Sequence, residues 1–222
     1  MRMRKKKNGD LRFERCAGWT IETEGLKEQF YSHFDPKKPI EMEIGSGKGR
    51  FIVAHARENP DRQYISIERV KDCLIMGMEK ALAKGLSNIK FFCLNAEDLL
   101  EYMPEESMDI IYLNFSDPWP KSRYAKRRLT HRRMVKCYLP LLKKGGKICF
   151  KTDNRDLFDF SVEEFKDLGF ELSELTYDLH ATDTPNIMTE YEERFSSMGV
   201  PINRFVAKPS EQTYALLSKV EK

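Results

Sequence analysis

Polar and apolar residues alternate across Ile40-Glu-Met-Glu-Ile44. Gly45-Ser-Gly47-Lys-Gly49 breaks the pattern, and Phe51-Ile-Val-Ala-His-Ala56 resumes it at helical spacing as far as Asn59-Pro60. The pattern predicts a strand, a glycine turn and a helix. The same alternation recurs as a strand near 63–67, a helix near 70–83 ending at Gly85, a strand near 89–94, a short helix near 97–102 and a strand near 109–114. A helix over 131–142 is expected to stop at the cationic turn Lys143-Lys144-Gly145-Gly146, with a fifth strand over 147–151. Thr152-Asp153-Asn154 has the character of a helix N-cap, followed by a helix over 157–168, a strand over 170–177 and a last strand over 213–220. Between those strands, 182–209 lacks periodicity and holds Pro185, Pro201 and Pro209, with room for a short helix over 191–197. A connection of that length is usually functional. Repeated βα units predict an α/β fold, a mostly parallel sheet with helices on both faces.

The chain has 222 residues, 41% hydrophobic and 33% charged, enough for one sizeable core. The division expected is a basic N-terminal extension over 1–35, partly flexible, and a single domain over 36–222 with a substrate-binding insertion near 181–209. Net charge is only +3, so affinity for a polyanion must come from a local patch. Cys16, Cys73, Cys93, Cys137 and Cys149 are scattered and never spaced as Cys-x-x-Cys, which fits reduced core residues of a cytoplasmic protein. His33, His55, His131 and His180 lack ligand spacing, so no metal is expected. Arg2, Arg4 and Lys5 to Lys7 resemble the start of a signal peptide, but Asn8-Gly9-Asp10 follows and no apolar segment comes after. Two readings of that arm stand side by side, a solvated tail and a contact to RNA phosphate. No run of membrane-spanning length occurs, so a soluble protein with no membrane partner is expected.

The glycines let backbone amides approach a ligand closely. A dinucleotide fingerprint beginning at Gly45 requires Gly or Ala at position 50, where Arg50 stands, and no phosphate-loop pattern occurs. Glu43, just ahead of the turn, suits an amino or ammonium group. Glu68, after the second strand, stands where this architecture places a carboxylate on two ribose hydroxyls. Asn95 and Glu97, after the third strand, suit an adenine amino group. Together these positions describe an adenosine ligand without a pyrophosphate. After the fourth strand, Ser116-Asp117-Pro118-Trp119-Pro120-Lys121 sets a carboxylate and an aromatic plane beside the cations Lys121, Arg123, Lys126, Arg127, Arg128, Arg132 and Arg133. Strand carboxyl ends are where open α/β sheets bind ligands, and clustered cations contact phosphate.

Glu43-Ile-Gly45-Ser-Gly47-Lys-Gly49, Glu68, Asn95-Ala-Glu97 and the segment 109–121 together resemble class I S-adenosylmethionine-dependent methyltransferases. Lys126-Arg127-Arg128-Leu129, Lys151-Thr-Asp153-Asn154 and Thr189-Glu-Tyr191-Glu192 with Arg194 narrow the resemblance to the bacterial tRNA (guanine-N7)-methyltransferases, over roughly 40–195. The resemblance implies a Rossmann-like, seven-stranded sheet with its last strand antiparallel, cytoplasmic location, and a guanosine in the tRNA variable loop as target. It implies that Glu43, Gly45, Gly47, Glu68, Asn95 and Asp117 bind S-adenosylmethionine, with Asp117 as the catalytic residue. It also implies that Lys121, Asp153, Thr189, Glu190, Tyr191 and Glu192 bind the substrate base, and that Arg123, Tyr124, Ala125, Lys126, Arg127 and Arg128 contact tRNA. Asn95 departs from the Asp common in methyltransferases, but its carbonyl still accepts from adenine.

Several residues keep a second reading. Trp119 stacks on a base or belongs to the core, Asp153 meets substrate or caps a helix, and Glu192 and Glu193 receive guanine hydrogens or simply face solvent. Two other functions compete. An exocyclic-amine methyltransferase requires Pro where Asp117 stands, and a non-catalytic RNA-binding protein has no use for Glu43, the glycine turn and Glu68 together. The sequence leaves monomer and homodimer equally open.

Overall fold

A computed structural model describes residues 8–220; the basic run at Arg2 to Lys7 lies outside the described residues. The elements, in order, are α1 (Gly9–Arg15), α2 (Leu26–His33), β1 (Ile40–Ile44), α3 (Arg50–Glu58), β2 (Gln63–Ile67), α4 (Lys71–Ala83), β3 (Ile89–Phe92), α5 (Leu99–Tyr102) and β4 (Met108–Asn114). A 3-10 helix (Ser122–Arg127) follows, then α6 (Arg132–Tyr138), β5 (Leu142–Thr152), α7 (Arg155–Asp167), β6 (Glu171–Thr176), α8 (Glu190–Ser196), β7 (Asn203–Lys208) and α9 (Glu211–Ser218). The seven strands form one sheet in the order β3-β2-β1-β4-β5-β7-β6. β1 to β5 pair in parallel, and β7 runs antiparallel between β5 and β6.

Strand order reverses between β1 and β4, so the crevice opens at their carboxyl ends, where the glycine turn and the Asp117 segment leave the sheet. Helices cover both faces. One core layer packs Phe30, Met42, Leu113, Phe150, Phe158, Phe165 and Phe205, and the other packs Ile52, Val53, Leu74, Met78, Phe91 and Tyr112. Cys16, Leu26, Phe30 and Phe34 are buried, so the packed unit begins well before residue 36. All five cysteines are free, but only Cys16 and Cys149 are buried. No helix among the described residues is long and apolar enough to cross a membrane, and no group of His, Cys, Asp and Glu among them has the makings of a metal site.

Two expectations are corrected here. The stretch 213–220 is not the last strand. Ser210 and Thr213 form a reciprocal capping box that starts α9, and Thr213 and Leu217, one helical turn apart, are its buried positions. The seventh strand is β7, inside the supposedly aperiodic connection. It lies between two neighbours and buries Phe205, Val206 and Ala207 consecutively, so the alternation of a half-exposed strand is missing. The helix expected to run to 142 ends at Tyr138, and Gly145 and Gly146 lie within β5 instead of stopping a helix. A Cβ on Gly146 would sit 3.1 Å from the Asp109 carbonyl oxygen, which accounts for the glycine there.

Gly49 caps α3 with φ of 71°, and a Cβ built on it would lie 2.9 Å from the Cα of Gly77 on α4. The glycine turn is thus pressed against a second helix with no side chain between them.

Candidate active site

The crevice at the switch point is a cleft of about 560 Å³ whose walls include Gly45, Glu68, Asn95, Ser116, Asp117 and Trp119. Gly45, Gly47 and Gly49 all take positive φ, and a Cβ on Gly47 would meet nothing within 4 Å, leaving its backbone open to a ligand. Glu68 holds the turn in place. One carboxylate oxygen accepts from the Gly47 amide and the other from the Val70 amide, each at 2.9 Å, joining the glycine loop to the start of α4.

Glu43 is buried beneath the turn. Asn114 at the end of β4 donates to Glu43 Oε1 at 2.8 Å, whereas Glu43 Oε2 is buried with no partner among the described residues. Burial pushes the Glu43 carboxyl up to about 7, against the opposing pull of the Asn114 hydrogen bond. Ser116 Oγ is likewise buried and unpartnered. Such orphaned atoms are rare in proteins and costly; Ser116 lines the cleft with Glu68, and Glu43 directly precedes the cleft-lining Ile44 and Gly45. The Glu43, Glu68 and Asn95 side chains thus stand at or just beyond the carboxyl ends of β1, β2 and β3.

Asp117 projects into solvent at the cleft mouth with 70% of its side chain exposed, 3.8 Å from the Arg69 guanidinium on the opposite lip. Its loop is strained, because Phe115 and Trp119 both adopt positive φ, 51° and 41°. Left-handed backbone costs a non-glycine residue on the order of 1 kcal/mol, and strain of this kind gathers at functional sites. Arg128 braces the loop, donating to the carbonyls of Pro118 at 2.9 Å and Trp119 at 3.2 Å while lying over the Phe160 ring. Its charge is therefore engaged internally, unlike that of its neighbours in the basic run. Arg123 and Arg127 flank the Tyr124 ring, and Arg127 also lies over Trp119. Trp119 lines the cleft and is not in either core layer. Ala125 is partly covered within the 3-10 helix, and Lys126 and Lys121 are exposed.

The late segment behaves differently from its description as a reader of substrate. Thr189 caps α8 in a reciprocal box with Glu192. Glu192 is fully buried: Lys151 and the Thr189 amide reach Oε2 at 2.6 and 3.3 Å, and His180 and Asn186 occupy Oε1. With both oxygens taken, Glu192 holds the segment together instead of facing a base. Glu190 pairs with Lys80 and with Lys48 of the glycine loop, and Glu193 pairs with Arg50, so α8 straps onto the glycine loop and the helices α3 and α4. Tyr191 is 53% exposed, stacked on Phe195, with its ring centroid 5.9 Å from that of Phe115. Asn154, not Asp153, caps α7 by accepting from the Leu157 amide. Asp153 is half-buried, and burial raises its carboxyl pKa.

Sequence reasoning assigned no role to Asn114, Ser116, Arg69 or Lys151. Asn114 and Lys151 follow apolar runs near the carboxyl ends of β4 and β5 and lie side by side in the sheet register.

The strand order, the glycine turn and the carboxylates at successive strand ends define a class I methyltransferase. Solved structures share the fold: an antibiotic-related methyltransferase has a TM-score of 0.60 at 21% identity, covering 86% of this chain and 96% of that one. The 16S rRNA methyltransferase KamB has a TM-score of 0.63 at 16% identity, covering 82% and 93%. Residues 37–205 match a family model described as a putative methyltransferase. Curated proteins named tRNA (guanine-N(7)-)-methyltransferase are similar over most of the chain. That of Lachnoclostridium phytofermentans is 47% identical over 186 residues, covering 83% of this chain and 87% of the relative. That of Macrococcus caseolyticus is 45% identical over 183 residues, covering 82% and 87%. That of Streptococcus thermophilus is 41% identical over 210 residues, covering 94% and 99%. The chain belongs to the tRNA (guanine-N(7)-)-methyltransferase family.

Proposed function

We infer that the protein transfers the methyl group of S-adenosylmethionine to N7 of a guanosine in tRNA, in the variable loop, as a cytoplasmic enzyme. The carrying observation is the cleft itself, which gathers Gly45, Glu68, Asn95 and Asp117, with the orphaned Glu43 oxygen on the strand that leads into its Ile44–Gly45 wall. Glu43 would hold the ammonium group, Glu68 the ribose and Asn95 the adenine. Bound there, S-adenosylmethionine supplies an electrophilic methyl group on a sulfonium.

Guanine N7 carries an in-plane lone pair at neutral pH and attacks without losing a proton, so the residues need not supply a strong base. Their work is alignment and charge stabilisation. Asp117 faces the cleft mouth as a carboxylate, where it orients the base and stabilises the positive charge that develops on the imidazole ring. The exposed Tyr191 and the cleft-lining Trp119 offer faces for an unstacked base. Asp153 and Lys121 stand as further substrate contacts, while Thr189 and Glu190 hold α8 in place. Arg123, Lys126 and Arg127 fix the register of the RNA through its phosphates.

The test is incubation with unmodified tRNA and labelled S-adenosylmethionine, followed by nucleoside analysis. The expected product is 7-methylguanosine mapped to the variable loop, and N6-methyladenosine in its place would overturn the reading. Asp117→Ala is expected to lower turnover ~10²–10³-fold, the usual effect of losing one stabiliser of transition-state charge, with tRNA affinity retained.

A further inference from the structure

The segment 126–134 is a wall with two faces. Arg127, Leu129 and Met134 line the cleft that contains Asp117, whereas Lys126, Arg132 and Arg133 line a second concavity of about 520 Å³ on the other side. Consecutive side chains on a 3-10 helix diverge by about 120°, which is how Lys126 and Arg127 come to serve different cavities from one crest. The opposite wall of this groove is the end of the chain's last helix, α9, with Leu216, Lys219 and Val220. Its position is fixed, because Lys136 on α6 donates to the Val220 carbonyl and Leu217 is buried in the core.

The groove is cationic after internal pairs are counted. Asp167, on its lining, faces Arg132 at 3.6 Å, and the same guanidinium meets Glu164 at 2.8 Å, so Arg132 is consumed by those two acids. Arg133 reaches only Glu97, at 3.7 Å, and both side chains are about half exposed, an arrangement easily exchanged for another anion. Lys126 and Lys219 have no ion-pair partner among the described residues. Three uncommitted or loosely held cations therefore face one another across a groove whose crest is shared with the methylation cleft.

We propose that this groove seats the phosphodiester backbone of the tRNA beside the target nucleotide, with Lys219 on one wall and Lys126 and Arg133 on the other. A strand that delivers a base over the crest into the cleft must lay its flanking phosphates on the far side of that crest, where these cations stand. The proposal rests on the reading of the cleft as the site of guanine methylation, and it extends the RNA footprint from the 3-10 helix to the end of α9.

Equilibrium binding of an unmodified tRNA transcript to the full chain across a potassium chloride series tests it. Lys219→Ala with Arg133→Ala is expected to flatten the dependence of log affinity on log salt by about two and to weaken binding ~10-fold at moderate salt. Lys219→Glu alone should weaken binding further than Lys219→Ala. Affinity for S-adenosylmethionine reports that the variants are folded. A wild-type slope and affinity in both variants would overturn the proposal, as would weaker binding with an unchanged slope, because phosphate contacts must release counterions. Nucleoside analysis of the wild-type reaction separates the two readings. No 7-methylguanosine would remove the assignment of the cleft, while the salt slopes still decide whether RNA occupies the groove.

Discussion

Lys151 donates to Glu192 at 2.6 Å with both side chains almost wholly withdrawn from water, joining the end of β5 to α8. The same ammonium group also reaches the Asn186 side chain at 3.0 Å and the Ile187 carbonyl at 2.9 Å, so one buried cation gathers the segment leading into α8. Burial lowers the Lys151 pKa, and the attraction of Glu192 opposes that shift.

Lys151→Met leaves the Glu192 carboxylate buried without its cation, which should lower unfolding free energy by ~3–5 kcal/mol. Adding Glu192→Leu should recover most of that loss, since an apolar pair of similar volume removes the stranded charge. Denaturant titration of the two variants checks this. A single variant within about 1 kcal/mol of wild type would contradict the role given to the pair.

Under the proposed function, Glu43 would link S-adenosylmethionine binding to pH. Its folded-state pKa near 7 exceeds the ordinary 4.5, so between those values the folded protein holds a proton that the unfolded chain has released. The stability Glu43 contributes therefore falls as pH rises from 4.5 to about 7 and is constant above. A cationic ligand group requires the ionised form, so S-adenosylmethionine affinity should rise as pH rises through that range and level off beyond it. Calorimetric titration in buffers of different ionisation enthalpy should detect the accompanying proton release. Glu43→Gln should abolish both trends, and a pH dependence surviving in that variant would assign it to another group.

Arg128 should separate from its neighbours in the basic run. Because it braces the Asp117 loop through two carbonyls, Arg128→Ala is expected to reduce turnover ~10²-fold by misplacing the carboxylate while leaving the salt dependence of tRNA binding intact. Lys126→Ala should do the reverse, weakening binding and reducing the salt slope by about one. Steady-state kinetics at several salt concentrations distinguishes them, and a reduced slope for Arg128→Ala with normal turnover would make Arg128 a phosphate contact after all.

Glu190→Gln with Glu193→Gln unstraps α8 from Lys48, Lys80 and Arg50. These pairs are exposed, so the global melting transition should scarcely move. Local opening should increase instead, with limited proteolysis between 182 and 200 accelerating on the order of fivefold. Unchanged cleavage would mean that Lys151 and Glu192 alone hold the helix down.

The glycine turn and its flanking elements could be read from the chain because their determinants are local. A strand, a run of alternate glycines and a helix announce the turn within a dozen or so positions, and Glu68 follows the next strand. Arrangements that depend on distant partners were not legible. Asn114 meets Glu43 across 71 positions and Lys151 meets Glu192 across 41, and nothing near either residue announces its partner. Glu192 read as a carboxylate facing substrate or solvent because the cation that pairs with it belongs to a distant strand. The misplacement of the last strand has a similar origin. β7 is buried on both faces and loses the period of two, whereas Thr213, Tyr214 and Val220 lend a helix the composition of a strand.

The backbone contact between Gly49 and Gly77 gives the glycine turn a hidden dependency. A side chain at Gly77 would collide with the Phe91 ring at 2.8 Å and press toward Gly49 at 3.4 Å, although Gly77 is not among the cleft-lining residues. The tolerance of this enzyme to substitution is thus set partly from behind: a single methyl group on the inner face of α4 would wedge the glycine turn from its rear, and a survey confined to cleft-lining residues would never sample it.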